Sequence, residues 1–320
     1  MRINTLFFAN SSRYSAGLHE QQHKYRIIIV NMNVKNILYI LISVIAITSC
    51  SNEETSENKS SIDLTNINAN IGGEKYAHRL EIPALNDDDY FLTRTTLVNG
   101  KENITYSISF NSERQHSRWV AFTFDSSNRN KKVGRSDNFQ PDPDFLGEYT
   151  MTSKQINNNG YQRGHLVASY DRVYSREANE QTFYMSNISP QIGKFNTGLW
   201  NDLEYKINEA GAGWGCNPNF ADTLYVVKGG TIAEGQYTSK GSCPTVPKYY
   251  FMALLRLKDK TYNGVAFCFE HKNYLPGGIA DYAITIDRLE ELTGIDFFCN
   301  LNDKLENAVE STIDKNTWNF

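Results

Sequence analysis

The alternation of apolar and polar positions places strands before helices in this chain. Ile104, Tyr106, Ile108 and Phe110 alternate with polar residues, the period of a half-buried strand. Tyr90 to Leu97 and Trp119 to Phe124 are also strand-like, and Leu80 to Pro83 predicts a short strand ahead of them. Asn99-Gly100 is a turn signal, so these segments open an antiparallel meander. Leu224 to Val227, Tyr249 to Leu257 and Val265 to Phe269 predict further strands, the last two joined around Asn263-Gly264. Helical spacing is rarer. Leu199, Leu203 and Ile207 fall four apart on one face with Trp200 beside them, so Leu199 to Ala210 predicts a helix. Asn196 or Thr197 would cap its start, and Gly211 and Gly213 would end it. Ile286 to Thr293 predicts a second helix capped by Thr285. Gly164 to Ala168 looks like a strand end, and residues 125 to 160, rich in Asn, Asp, Gly and Pro, read as a long loop of the kind that often carries function. Strand pairs with few helices point to an α+β fold, an antiparallel sheet core flanked by helices, rather than βαβ repeats.

The N-terminal pattern is different. Ile37 to Thr48 is an apolar run preceded by Lys35, too short and one-sided to span a membrane, and it fits a signal-peptide core. It ends in Ile47-Thr48-Ser49-Cys50, which resembles the lipobox of bacterial lipoproteins, with Cys50 lipidated as the first mature residue. Met32 would start a signal of normal length, so residues 1–31 read as an upstream extension and 32–49 as the signal. Residues 50–78 then form the lipidated cysteine and a polar tether, and 79–320 the folded domain. The expected location is the outer membrane of a Gram-negative bacterium, on its periplasmic or outer face, with the membrane reached through Cys50.

Charge narrows the options for partners. The 320-residue chain has 32 Lys/Arg and 36 Asp/Glu, and five of the basic and one of the acidic residues precede Cys50. The mature chain is left with 27 against 35, a net charge of −8, which counts against a protein that holds duplex DNA by bulk charge. A local basic groove is still available, and Arg129, Lys131, Lys132 and Arg135 form one basic cluster. Four cysteines follow Cys50. Cys216 and Cys243 both sit in loop-like sequence and pair most naturally with each other, whereas Cys268 and Cys299 read as buried thiols or a second bridge.

Chemistry concentrates between residues 161 and 204. His165 has the side chain best suited to take a proton near neutral pH. Arg163, two residues away, points to the same side of an extended chain and can clamp phosphate oxygens. Asn196 offers a neutral amide oxygen to a hard cation that keeps most of its waters. Glu204 lies eight residues on, a rise of about 12 Å on an ideal helix, so it meets Asn196 only if Asn196 precedes the helix proper.

These residues resemble a known family. Gln162-Arg163-Gly164-His165, Ser186 to Gln191 (Ser-Asn-Ile-Ser-Pro-Gln) and Asn196 to Glu204 (Asn-Thr-Gly-Leu-Trp-Asn-Asp-Leu-Glu) are similar to the signatures of the DNA/RNA non-specific endonucleases. The resemblance runs from about Leu80 to about Asp303 and includes Val226 to Gly230 and Ile286 to Gly294. It implies an embedded ββα-metal (His-Me finger) motif, a Mg²⁺ or Mn²⁺ cofactor, and DNA and RNA as substrates cut without sequence specificity. It also implies His165 as general base, Asn196 as the direct metal ligand and Glu204 as orienting the metal's water. Arg163 and Arg135 would act on phosphate, and Asn187 and Gln191 would support the site by hydrogen bonds. The family's Asp is Gln162 here, in a supporting position. That departure opens a second reading, a weakened nuclease fold kept as a surface lipoprotein that binds nucleic acid.

Overall fold

The computed structural model describes residues 66–145 and 150–320. Seven strands form one antiparallel sheet in the order β1-β2-β3-β6-β9-β10-β11: Tyr90–Val98, Lys101–Asn111, His116–Phe124, Thr223–Gly230, Tyr249–Lys258, Thr261–Glu270 and Ala283–Ile284. Two small ribbons stand apart from it: β4 (Gln162–His165) with β5 (Ile188–Gln191), and β7 (Tyr237–Lys240) with β8 (Cys243–Pro247). The helices are α1 (Ser153–Asn158), α2 (Arg176–Gln181), α3 (Gly193–Asn196), α4 (Leu199–Asn208), α5 (Ile286–Thr293), α6 (Asp303–Glu310) and α7 (Lys315–Trp318). The fold is α+β, as the pattern predicts. Among the described residues no helix is long and apolar enough to cross a membrane.

The large sheet is buried on both faces, which is why its central strands look continuously apolar. Ile108, Phe122, Val226, Met252 and Phe267 face a layer containing Trp200, Leu203, Ile207, Trp214 and Trp318. Their strand neighbours Trp119, Ala121, Val227, Phe251 and Ala266 face Ile286, Leu289, Phe297, Phe298 and Leu301. One face carries the β4–β5 and α4 layer, and the other carries α5 and α6.

Local chemistry fixes the connections. Asn99-Gly100 forms the expected β1–β2 turn, with φ of 53° and 75° between the paired residues Val98 and Lys101. The β9–β10 turn is not at Asn263-Gly264. Lys258 pairs with Thr261, and Asp259 and Lys260 make the turn with φ of 48° and 65°. Gly264 lies inside β10 because α5 and α6 press on it: a Cβ there would come within 2.6 Å of both Ile286 Cδ1 and Val309 O. Leu80 to Pro83 is irregular rather than a strand. Its carbonyls bond to side chains, Asn70 Nδ2 to Pro83 O at 3.1 Å and Asn300 Nδ2 to Ile82 O at 3.2 Å, while Ile82 is buried. The long 125–160 segment contains α1, whose Thr152 and Gln155 form a reciprocal capping box. Thr285 caps α5 as expected, and Gly294 ends it at φ 69°.

Two further expectations are corrected. Cys216 and Cys243 are free thiols, as are Cys268 and Cys299. Cys216 Sγ lies 3.5 Å from Asn208 O and Cys243 Sγ 3.4 Å from Gln155 O, in different layers of the protein. Loop composition alone had paired them, without information on which loops meet. The boundary at residue 79 also moves. Residues 66–78 are docked: Ile67 N donates to Asp303 Oδ1 at 3.1 Å and Asn70 N to Asn300 Oδ1 at 3.1 Å. The upstream extension, the signal and Cys50 lie outside the described residues.

Candidate active site

The β4–β5 ribbon brings the first two signature elements together. Arg163 pairs with Pro190, Gly164 with Ser189 and His165 with Ile188. Gly164 is required by Gln191, whose side chain lies across it: a Cβ at Gly164 would fall 2.1 Å from Gln191 Oε1. The glycine thus serves packing inside the ribbon. Gln191 is fully buried and, among the described residues, its amide atoms have no hydrogen-bond partner; its side chain fills the space over Gly164. Asn187 is hydrogen-bonded on both sides of its amide. Its Oδ1 accepts from Val167 N at 2.9 Å, and its Nδ2 donates to Val167 O at 3.0 Å and Thr182 O at 2.7 Å. This holds the chain leaving His165 against the turn that precedes β5.

The third element depends on a break in the helix. Asn196 ends α3 and does not cap α4; the cap is Gly198, with φ −102° and ψ −136°. A Cβ on Gly198 would come within 2.7 Å of Lys194 O, so the sharp break needs glycine. Because the span from Asn196 to Glu204 is not one regular helix, both side chains line the same cavity of about 460 Å³ as Arg135, Arg163 and His165. Of the basic cluster only Arg135 reaches it. Arg129 instead donates to Asp222 O at 2.8 Å, and Lys131 to Tyr170 O at 2.7 Å.

Asn196 Nδ2 donates to Gln162 Oε1 at 2.8 Å. The glutamine in the family's acidic position therefore still offers an acceptor, and its bond turns Asn196 Oδ1 away from Gln162, free to meet a cation. Glu204 is ion-paired with Lys228 of β6, which is 1% exposed and lies 4.0 Å from Asp171. Asp171 in turn accepts from Asn208 Nδ2 at 2.8 Å and Ala168 N at 3.1 Å. Burial raises the Glu204 carboxyl above its ordinary range, and the Lys228 charge pulls it back down.

His165 sits between two aromatic rings, Phe139 at 5.4 Å and Phe183 at 4.8 Å between centroids. Arg163 lies over Phe139 at 3.8 Å and Arg135 over Phe183 at 4.8 Å. Two arginines and two phenylalanines thus bracket one imidazole. Burial, with the positive charges of Arg135, Lys228 and Arg163, depresses the His165 pKa to about 3. Its Nε2 is buried and without a hydrogen-bond partner among the described residues. The imidazole is neutral at neutral pH and able to accept a proton. Phe139, Phe183, Lys228 and Asp171 are not found by sequence reasoning as site residues. The apolar-next-to-basic pairing carries no short-range signal, and Lys228 looked like part of an ordinary strand.

A second histidine anchors α3. His271 Nε2 accepts from Ile192 N, the residue before α3, at 2.7 Å, and Nδ1 donates to Pro247 O at 3.0 Å. Burial lowers its pKa to about 4. An unfolded histidine protonates near 6.5, so between about 6.5 and 4 the unfolded chain binds a proton that the native one refuses. His271 therefore makes stability fall as the pH drops through that window. Urea titrations at pH 7 and 4.5 are expected to show a larger loss for the wild type than for His271→Gln, which keeps an acceptor without the titration. Equal losses would remove His271 as the cause.

The fold and site define a nuclease of the ββα-metal class: a histidine on a β-ribbon, an asparagine and a glutamate on the following helices, and arginines around one open cavity. The sequence pattern of the DNA/RNA non-specific endonucleases matches residues 89–304, and the chain belongs to that family. A nuclease of Nostoc sp. is 30% identical over 220 residues, covering 65% of this chain and 76% of the relative. Nuclease C1 of Cunninghamella echinulata is 28% identical over 220 residues, covering 64% and 83%. The fold is shared with a chain of the EndoG/EndoGI complex at a TM-score of 0.54 and 21% identity, over 67% of this chain and 89% of that one.

Proposed function

We propose that this nuclease is a Mg²⁺- or Mn²⁺-dependent endonuclease that hydrolyses DNA and RNA without sequence preference. The observation that carries the reading is the pinning of Asn196 by Gln162 beside His165, Arg163, Arg135 and Glu204 in one cavity. One neutral amide oxygen with a carboxylate nearby, in a cavity with room for water, fits a hard cation that retains most of its hydration shell. Asn196 would hold the ion directly and Glu204 through water. When bound, the ion supplies Lewis acidity toward the leaving oxygen and neutralises phosphate charge.

The protein's own groups do the rest. His165 takes the proton from the attacking water at Nδ1, since Nε2 is buried; the anionic phosphate offsets the arginine charges that hold the imidazole acidic, so its basicity rises as substrate binds. Arg163 and Arg135, held over Phe139 and Phe183, donate to the phosphoryl oxygens as charge builds there. Lys228 opposes the burial that raises the Glu204 carboxyl and fixes its direction. Tyr170 and Tyr205 line the cavity and are 50% and 56% exposed, which suits stacking with bases of any identity. The Gln162–Asn196 bond disfavours the reading of a weakened, merely binding domain.

Incubation of purified protein with plasmid or RNA and Mg²⁺ tests this reading. Cleavage that EDTA blocks is the expected result, and binding without cleavage would reverse it. Asn196→Ala is expected to raise the Mg²⁺ concentration for half-maximal cleavage at least tenfold, by loss of the direct ligand; an unchanged titration would remove it from that role. The apolar run and Ile47-Thr48-Ser49-Cys50 support export and lipid anchoring at Cys50 to the outer membrane of a Gram-negative cell. Labelled palmitate is expected to enter the wild-type protein and not Cys50→Ala, and label in both would argue against that anchor.

A further inference from the structure

On the sheet face opposite the nuclease cavity, α5 and α6 meet the docked segment at Ile67 and Asn68 around a second cavity of about 290 Å³. Six carboxylates line it: Asp287, Glu290, Asp296, Asp303, Glu306 and Glu310. Among the described residues no Lys or Arg lines it. Several of these groups have local partners. Phe297 N donates to Glu290 Oε1 at 2.7 Å, Asn68 Nδ2 to Glu306 Oε1 at 2.9 Å and to Asp296 Oδ2 at 3.2 Å, and Ile67 N to Asp303 Oδ1 at 3.1 Å. Glu310 is the exception. It is 5% exposed, and its Oε1 is buried without a hydrogen-bond partner among the described residues. A buried carboxylate that faces other carboxylates and has no donor is costly unless something positive joins it.

Geometry says what would join it. One oxygen each of Asp287, Glu290 and Glu310 lie within 4.8 Å of one another. Ca²⁺ takes oxygens at 2.3–2.6 Å, so two ligands on opposite sides of one ion stand roughly 4.6–5.2 Å apart. We propose that Asp287, Glu290 and Glu310 form a Ca²⁺ site that clamps α5 to α6 beneath the Ile67–Asn68 segment. A rim of further carboxylates and amides at variable distances suits Ca²⁺, whose shell of six to eight oxygens is irregular, better than Mg²⁺ with its strict octahedron. The site is structural, stands apart from the nuclease chemistry, and does not depend on it.

Equilibrium dialysis with Ca²⁺ and thermal melts in chelator or in millimolar Ca²⁺ test the assignment. The wild type is expected to bind Ca²⁺ here and to melt several degrees higher with it. Glu310→Gln is expected to lose that equivalent and the Ca²⁺ response, to melt above the wild type in chelator, and to keep its Mg²⁺-dependent cleavage. Asp287→Asn, at an exposed position, is expected to weaken Ca²⁺ binding at least tenfold without unfolding the domain. Asn196→Ala is expected to retain the Ca²⁺ response in full. Absence of any Ca²⁺-dependent shift in the wild type would overturn the site. So would a response that survives Glu310→Gln, or one that disappears with Asn196→Ala, since the cation would then sit elsewhere.

Discussion

His165→Ala is expected to lower cleavage of plasmid DNA and of RNA by roughly a hundred- to ten-thousand-fold, the range that a positioned general base contributes. The loss should appear in kcat with little change in KM, because the arginines and the exposed tyrosines proposed to hold substrate remain in the cavity lining. Melting of the variant should stay close to that of the wild type, since Phe139 and Phe183 can close part of the small gap the imidazole leaves. Single-turnover measurements at saturating Mg²⁺ separate the outcomes. A variant that still digests plasmid at near wild-type rate would move the base role away from His165.

Lys228→Met is the second large expectation, and it affects both folding and chemistry. Lys228 is the one cation held against both Glu204 and Asp171 among the described ion pairs, and all three side chains are largely buried. Removing it leaves two carboxylates facing each other without a counter-charge among the described residues, and breaking a buried pair from one side costs about 3–5 kcal/mol. The Glu204 pKa would then rise further, since burial already raises it and Lys228 is what opposes the shift. Activity should fall at pH 7 and recover in part at higher pH, where the carboxyl ionises again. Lys228→Met combined with Glu204→Gln should recover much of the stability but not the activity. A single variant as stable as the wild type would show that the pair contributes little.

Much of the site was legible in the sequence because its parts are local. Arg163 and His165 share a face of a four-residue strand, and period two is enough to see it. Asn196 and Glu204 were legible only as a question, since eight residues of regular helix would have separated them. The answer lay in Gly198, where the chain needs a backbone turn that a side chain would block. What was not legible depends on which distant segments meet. Phe139 comes from a loop and Phe183 from beyond α2, yet both pack on His165. Lys228 reads as one polar residue in an apolar strand, and its partner lies 24 positions earlier. The Cys216–Cys243 expectation failed for the same reason, because loop composition does not say which loops touch. The β9–β10 turn was displaced because Asn-Gly is a strong turn signal, whereas here its glycine makes room for α5 and α6.

The break at Gly198 has a further consequence. Each residue of a helix turns its side chain by about 100°. Glu204 reaches the cavity because α4 restarts at Leu199 with a new phase, not because a particular length of chain follows Asn196. Inserting or removing one residue between Gly198 and Glu204 would rotate the carboxylate off Lys228 and put Leu203 or Tyr205 in its place. The spacing of this motif is therefore an angular constraint, and a change that leaves its composition untouched can still abolish the site.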